Sequence, residues 1–531
     1  MAAGEWIEIS PSSMPEEGKP VAVEHGDASI LLARVEGRVH ACAGKCTHFG
    51  GPLEQGRQCG REVVCPWHHA RFDVTTGRMT APPALDDLAS FPVETRGAGL
   101  ALRMVPAREI PKPSGSDSRR VLIVGAGAAG HAAAEMLRRE GFAGPIRMIT
   151  PERDEPYDRT SLSKGVLSGK SAPERQRLRG PGFYAERGIE ILTGRRAVGL
   201  DARAKRVTTD DGQIHPFEFC LLASGGRPRT LPVPGNDLAG IFLLRNLEDA
   251  RRIVAAAEKA SRAVIVGGGF IGIECAASLR QRGLPVEVIL REPAPLERVF
   301  GPRIGRGLAR RHEANGIVFH RERTVSAFHG DGKVGAVELS DGRSVAGDLV
   351  ILGLGIDLAT EYLDGSGLLE GRAVAVDARL ETRAPGVFAA GDIALVPYGH
   401  GAGPAGPARP AEGRLRLEHW AVAQRQGQHA ARAMLGAQQP YTEVPFFWSR
   451  QGELSVKQVG FAPRPESFAY RGDVEAGKFL AGIYQQGHLR AAVGMGVVSQ
   501  FQAVEQILGA GRNVPFERFE DAGFDLESAL R

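Results

Sequence analysis

"VLIVGAGAAGHAAAEMLRREG", Val121 to Gly141, joins an apolar run to a glycine turn and then to Ala and Leu at helical spacing. The same order of parts returns in "AVIVGGGFIGIECAASLRQRG", Ala263 to Gly283. Two strand-turn-helix units of this kind predict two doubly wound α/β domains. A further apolar run, "GVFAAGDIALV" (Gly386 to Val396), lies far downstream, followed by the Gly/Pro-rich "GHGAGPAGPARPAEG" (Gly399 to Gly413).

Each turn carries Gly-x-Gly-x-x-Gly, as Gly125, Gly127 and Gly130 and again as Gly267, Gly269 and Gly272. After a strand and before a helix, these glycines let a pyrophosphate approach the helix N-terminus. Glu152 follows the strand-like "IRMIT", where an acid can bond ribose hydroxyls; its plainer reading is an exposed loop acid. In the second unit "VEVILREP" puts Leu290 where that acid would fall, with Arg291 and Glu292 next. Arg291 can pair with a 2′-phosphate and Glu292 with a 2′-hydroxyl, so NADH and NADPH both stay open.

Residues 1–106 read as short strands broken by turns, a small all-β domain. Residues 107–120, "AREIPKPSGSDSRR", have linker composition and, as free coil, would span about 20 Å, tethering without fixing. The segments 121–245 and 350–438 form the first nucleotide domain and 246–349 the second. Residues 439–531 mix strands with a helix, a final α+β domain.

Within the all-β domain, "CTHFGGPLEQGRQCGREVVCPWHH" (Cys46 to His69) pairs one Cys with one His in each half: Cys46-x-His48, sixteen residues, then Cys65-x-x-His68. A structural zinc finger groups its cysteines together and its histidines together. Two thiolates and two imidazoles suit a 2Fe-2S centre with Cys on one iron and His on the other. His69 is expected beside the ligands or facing solvent, and Cys42 and Cys59 as free thiols.

At 531 residues the chain should hold three or four domains. Its 66 Lys and Arg against 62 acids, without a basic block, speak against nucleic acid. The N-terminus lacks the features of a signal peptide and no run of about 18 apolar residues occurs, so a cytoplasmic protein without membrane partners is expected. The six cysteines do not form a secreted disulfide framework.

The Cys46–Asp73 region, with "CPWHHARFD", closely resembles a Rieske ferredoxin domain over residues 5–105. "PYDRTSLSK", "LLASGGRPRTLPVPG", "VFAAGDIA" and "RLEHWAVAQRQGQHAA" resemble the FAD-dependent ferredoxin and rubredoxin reductases and apoptosis-inducing factor over residues 120–531. That resemblance implies FAD on the first glycine motif and NADH or NADPH on the second. It places Gly391 and Asp392 at the FAD ribityl and pyrophosphate, although Asp392 also suits a helix N-cap. It sets Ala223 to Gly225 in a segment crossing near FAD, Arg159 and Lys164 beside the flavin, and Lys164 paired to Glu274 as the catalytic pair. A carboxylate in a first helical turn is favoured anyway, which is the plain alternative for Glu274. Arg416, Glu418, His419 and Trp420 fall beside the isoalloxazine, or else begin an amphipathic helix. Thr160 and Ser161 stand where many relatives carry prolines, and Gly355 to Glu361 lacks a usual Pro-Asn.

No redox-active cysteine pair is present, because Cys220 and Cys275 stand alone. The whole resembles the Rieske-bearing relatives of apoptosis-inducing factor, which implies electrons passing from NAD(P)H through FAD to the chain's own cluster and on to a ferredoxin or oxygenase. A redox sensor with incidental NAD(P)H oxidation is the alternative. A Rieske oxygenase would need a mononuclear iron site, and His312, His320 and His329 form no such cluster. The oligomeric state, a homodimer included, stays open.

Overall fold

Val121–Val124 and Ala263–Val266 are buried at every position, because each is the middle strand of a five-stranded parallel sheet covered on both faces. The protein is seen in a computed structural model that describes residues 6–97, 99–103, 105, 109–398 and 413–530. The first sheet runs Ile189–Leu192, Ile146–Ile149, Val121–Val124, Phe219–Leu222, Val387–Ala389. The second runs Ile241–Leu243, Leu349–Leu352, Ala263–Val266, Val286–Ile289, Ile317–His320. Each middle strand leads into a helix, α1 (Ala128–Arg139) and α2 (Phe270–Gln281).

The chain crosses between the two sheets through Gly226–Pro228, which pairs antiparallel with the returning Ile356–Leu358. Ile241–Leu243 and Leu349–Leu352 therefore belong to the second sheet, which is wider than the 246–349 read from sequence. Helix α3 (Trp420–Met434) returns to lie along α1. The approach needs a glycine: a Cβ on Gly427 would sit 2.1 Å from the Ala129 carbonyl oxygen.

The C-terminal domain is a five-stranded antiparallel sheet, Phe446–Gln451, Leu454–Gly460, His488–Met495, Lys478–Gln485, Ser467–Asp473, carrying helix α4 (Val498–Gly509). The N-terminal domain is all-β, three small antiparallel sheets. Ala107 and Arg108 and the stretch 399–412 lie outside the described residues. What is described of the linker lies against the first α/β domain: Ile110 is buried, Glu109 pairs with Arg187 at 3.8 Å and Lys112 with Glu186 at 3.5 Å. This segment is seated rather than free coil. Among the described residues no helix is long and apolar enough to cross a membrane.

Candidate redox site

Two hairpin-like loops of the N-terminal domain face each other. The first closes through Cys46 N to Gly51 O (2.9 Å) and Gly50 N to Cys46 O (2.8 Å); the second through Cys65 N to Ala70 O (2.8 Å). Gly50 needs its positive φ of 73°, and at Gly51 a Cβ would come 2.8 Å from the Cys65 sulfur. The amides of His48 and Phe49 bond the Cys46 sulfur, and those of Trp67 and His68 the Cys65 sulfur. The Cys46 thiol hydrogen-bonds Cys65, which with the Trp67 and His68 amides pulls the Cys65 thiol below its ordinary value against the effect of burial. The two imidazoles bring Nδ1 to Nδ1 at 3.2 Å. Burial holds His48 down to about 4 and His68 well below its ordinary value, which favours the neutral imidazole that a metal ligand needs.

Among the described residues no three His, Cys, Asp or Glu converge as a single metal ion would require. Thiol instead meets thiol and imidazole meets imidazole, the two-and-two division that a cluster with thiolates on one iron and imidazoles on the other needs. Cys46, His48, Cys65 and His68 thus fit a 2Fe-2S centre. All six cysteines are unpaired; Cys220 and Cys275 are buried inside the α/β domains.

Below this pair of loops opens a cavity of about 770 Å³, lined by both glycine turns, the crossing segment, the start of α3 and the first strand of the C-terminal sheet. The glycines divide their labour. A Cβ on Gly125 would lie 2.1 Å from Ala223 O and one on Gly130 1.9 Å from Gly125 O, so these two make the turn possible. Gly127 faces only the end of Arg159, at 3.9 Å, leaving room for a diphosphate. The second turn repeats this: Gly267 and Gly272 are crowded (2.3 and 2.2 Å) while around Gly269 the space is open.

Glu152 bonds the Tyr157 hydroxyl and lies 2.5 Å from Arg159. Lys164 Nζ is 2.7 Å from the Glu274 carboxylate, which also accepts from Ser163 (2.5 Å) and Ser449 (2.7 Å). Glu274 lies beyond the first turn of α2 and is buried, so a simple helix-end role does not account for it. Asp392 is not a helix N-cap: it sits inside the short turn Gly391–Ile393 and pairs with Arg245 at 2.8 Å. Gly225, at φ 67°, lies against that same arginine. Arg416 donates to the Asp392 carbonyl (3.1 Å) and pairs with Glu418 (2.7 Å). His419 Nδ1 is buried without a partner in the cavity wall, and burial holds this ring down to about 4. Trp420 opens α3. The donor-rich wall and the open middle glycines fit a dinucleotide such as FAD. In the second domain Leu290 packs on Gly268, Arg291 is exposed, and Glu292 lies 3.7 Å from Arg298; Arg291 and Glu292 lie outside the cavity.

Sequence reading missed the residues that lie between the cluster loops and the cavity. The His68 ring lies 4.8 Å from Trp448, and Trp448 lines the cavity. His69, expected beside the ligands or in solvent, is fully buried between domains: it stacks on Phe446 at 4.0 Å and its Nδ1 lies 2.5 Å from Glu505 of α4. A left-handed backbone at φ 59° turns it away from the ligand side, a conformation His tolerates better than most residues. Burial works against the Glu505 charge, but His69 and then Arg71 hold that carboxyl well below the usual range. Lys457, pulled down to about 8 by burial, donates to Pro66 O at 2.6 Å. A second set of contacts runs to α1: Arg139 pairs with Asp87 at 2.9 Å, and Arg179 joins Asp86 (2.7 Å) to Glu135 (2.6 Å).

Residues 119–427 match the model of the pyridine nucleotide-disulphide oxidoreductases. The chain belongs to the pyridine nucleotide-disulphide oxidoreductase family. Ahead of that core, residues 5–92 match the Rieske [2Fe-2S] domain, and after it residues 446–530 match a reductase C-terminal domain. The oxidoreductase is similar to apoptosis-inducing factor 3 of Homo sapiens, 35% identical over 94% of this chain and 83% of that protein. It is also similar to the ferredoxin–NAD(+) reductase component of a biphenyl dioxygenase system from Paraburkholderia xenovorans, 33% identical over 77% of this chain and 98% of the other. The covalent putidaredoxin reductase–putidaredoxin complex superposes with a TM-score of 0.71 at 28% identity, covering 78% of this chain and 99% of that one. This is an FAD-dependent oxidoreductase of the ferredoxin reductase type, with NADH or NADPH, FAD and a Rieske 2Fe-2S cluster as its cofactors. It carries the family's nucleotide framework without a disulphide.

Proposed function

We propose that this oxidoreductase passes electrons from NAD(P)H to its own Rieske cluster and from there to an external one-electron acceptor, a ferredoxin or an oxygenase component. The observation that carries the reading is the contact of His68, a cluster ligand, with Trp448 in the wall of the FAD cavity. When bound, FAD takes a hydride as an electron pair and gives electrons up singly to a cluster that accepts one at a time. The balance is one NAD(P)H and two oxidised clusters giving NAD(P)⁺, one proton and two reduced clusters.

The chain's own residues bind, orient and shield. Lys164 and Glu274 form a fixed ion pair that Ser163 and Ser449 complete, tying the first nucleotide domain to the second and to the C-terminal sheet. Phe446 and Trp448 line the cavity where it meets His69 and His68 of the Rieske domain, and Phe447 packs on Phe270 and His419. Because the acceptor domain is covalently attached and already seated on the α/β and C-terminal domains, its meeting with the cavity is intramolecular. The names of the dioxygenase-system relatives support this role. The likeness to apoptosis-inducing factor 3, which spans the Rieske domain too, favours signalling as the second reading.

The test is anaerobic mixing of the holoenzyme with NADH and, separately, NADPH, followed by absorption and electron paramagnetic resonance. A Rieske signal that grows as the flavin is reduced is expected. A flavin that bleaches while the cluster stays oxidised would overturn the proposal.

A further inference from the structure

Helix α4 presents three polar side chains to the Rieske domain, at i, i+3 and i+4 and hence on one face: Gln502, Glu505 and Gln506. Gln502 donates to Val64 O at 3.3 Å, Gln506 meets the Cys59 thiol, and Glu505 takes both Arg71 (3.0 Å) and His69 (2.5 Å). Val64 immediately precedes the second cluster loop, which carries Cys65 and His68; His69 lies near the end of that loop and Arg71 just beyond it. The Glu505 carboxylate is itself buried, as is His69.

The geometry points to Glu505 as the positioning residue of the electron-transfer junction. Its two oxygens are shared between the His69 ring and the Arg71 guanidinium, both at the C-terminal end of the second cluster loop, and this clamp sets His68 against Trp448. The inference rests on the proposed flavin-to-cluster route. An apolar seat would hold the domain as well, but a buried bidentate carboxylate fixes its angle, since both bonds are met in only one orientation. Phe446 and Phe501 pack on the His69 ring and supply adhesion, while the carboxylate and the amides of Gln502 and Gln506 add direction to the seat.

The test uses the full holoenzyme in single-turnover anaerobic stopped flow with NADH, reading flavin bleaching and cluster reduction in the same trace. Glu505→Gln keeps the shape and removes the charge; it should slow flavin-to-cluster transfer about tenfold or more, with the resonance g-values of the cluster unchanged. Arg71→Gln should slow it similarly, and the double variant should be no slower than the worse single, as for two ends of one interaction. Glu505→Asp should recover part of the rate. Unchanged transfer in Glu505→Gln, or strictly multiplicative losses in the double variant, would overturn the inference. Absence of cluster reduction in the unsubstituted protein would instead overturn the proposed route itself. A variant that failed to fold would show itself by lost flavin bleaching, and the Arg71 and Asp variants then decide the matter.

Discussion

The imidazole of His68 and the indole of Trp448 stand 4.8 Å apart, centre to centre, their planes tilted by 52°. One belongs to the Rieske domain and the other to the first strand of the C-terminal sheet, so the contact exists only while the domain is seated. Trp448 also lines the cavity, so one ring touches both the His68 side and the cavity side. Replacing it by Leu should leave hydride uptake in place and slow cluster reduction by roughly a hundredfold, because a displacement of an ångström or so at such a junction is costly. Phe should cost much less. Stopped-flow rates of the two phases check this; equal cluster reduction in all three proteins would remove Trp448 from the path.

The two adjacent histidines should separate cleanly. His68→Ala removes a ligand and should leave a protein that binds FAD but lacks the Rieske resonance and most of its iron. His69→Ala should keep iron and resonance, because its ring points into the domain interface, but should weaken seating of the Rieske domain by about 2 kcal/mol through the lost stacking on Phe446 and the buried Glu505 carboxylate left with Arg71 as its remaining ion-pair partner. Iron analysis with small-angle scattering distinguishes the outcomes. Loss of the cluster in both variants would show that the ligand assignment is wrong.

The glycine turn makes a paired prediction about FAD. In Gly130→Ala the new methyl would strike the Gly125 carbonyl oxygen, which is backbone and cannot yield, so the turn itself distorts. In Gly127→Ala the methyl meets no protein atom closer than 3.9 Å and intrudes only into the space left for the diphosphate. Both should lose FAD on gel filtration, yet only Gly130→Ala should lower the melting temperature of the apoprotein. A Gly127→Ala protein that retained stoichiometric FAD would show that the diphosphate does not approach this turn.

The local signals were legible in the sequence and the long-range ones were not. Gly125, Gly127 and Gly130 sit within six residues, and Cys46, His48, Cys65 and His68 within a single small domain, so spacing alone carries their chemistry. The ion pair of Lys164 and Glu274, 110 residues apart, was expected only from a resemblance. His69 and Glu505 are 436 residues apart, and neither has a neighbour in sequence that marks it. Trp448 reads as one more strand aromatic until the Rieske domain is set against it. The linker composition suggested a free tether because sequence cannot show that Ile110 is buried or that Asp86 and Asp87 meet arginines on the first α/β domain.

That second set of contacts gives a prediction in pH. Glu135 of α1 is buried, yet His131 and Arg179 draw its carboxyl down from 4.5 to about 2. A carboxyl depressed in the folded state contributes stability that is fully present above its unfolded value and is lost as pH falls through the folded one. The window is therefore about pH 4.5 down to about 2, and the contribution is of order 3 kcal/mol at its upper bound. Because Arg179 also holds Asp86 of the Rieske domain, part of that loss should appear as undocking before the α/β core opens. Glu135→Gln should lower stability at pH 6 and flatten its dependence on pH across this window, as followed by intrinsic fluorescence and scattering. A variant that titrates as steeply as the parent between pH 4.5 and 2 would show that another carboxylate governs acid opening.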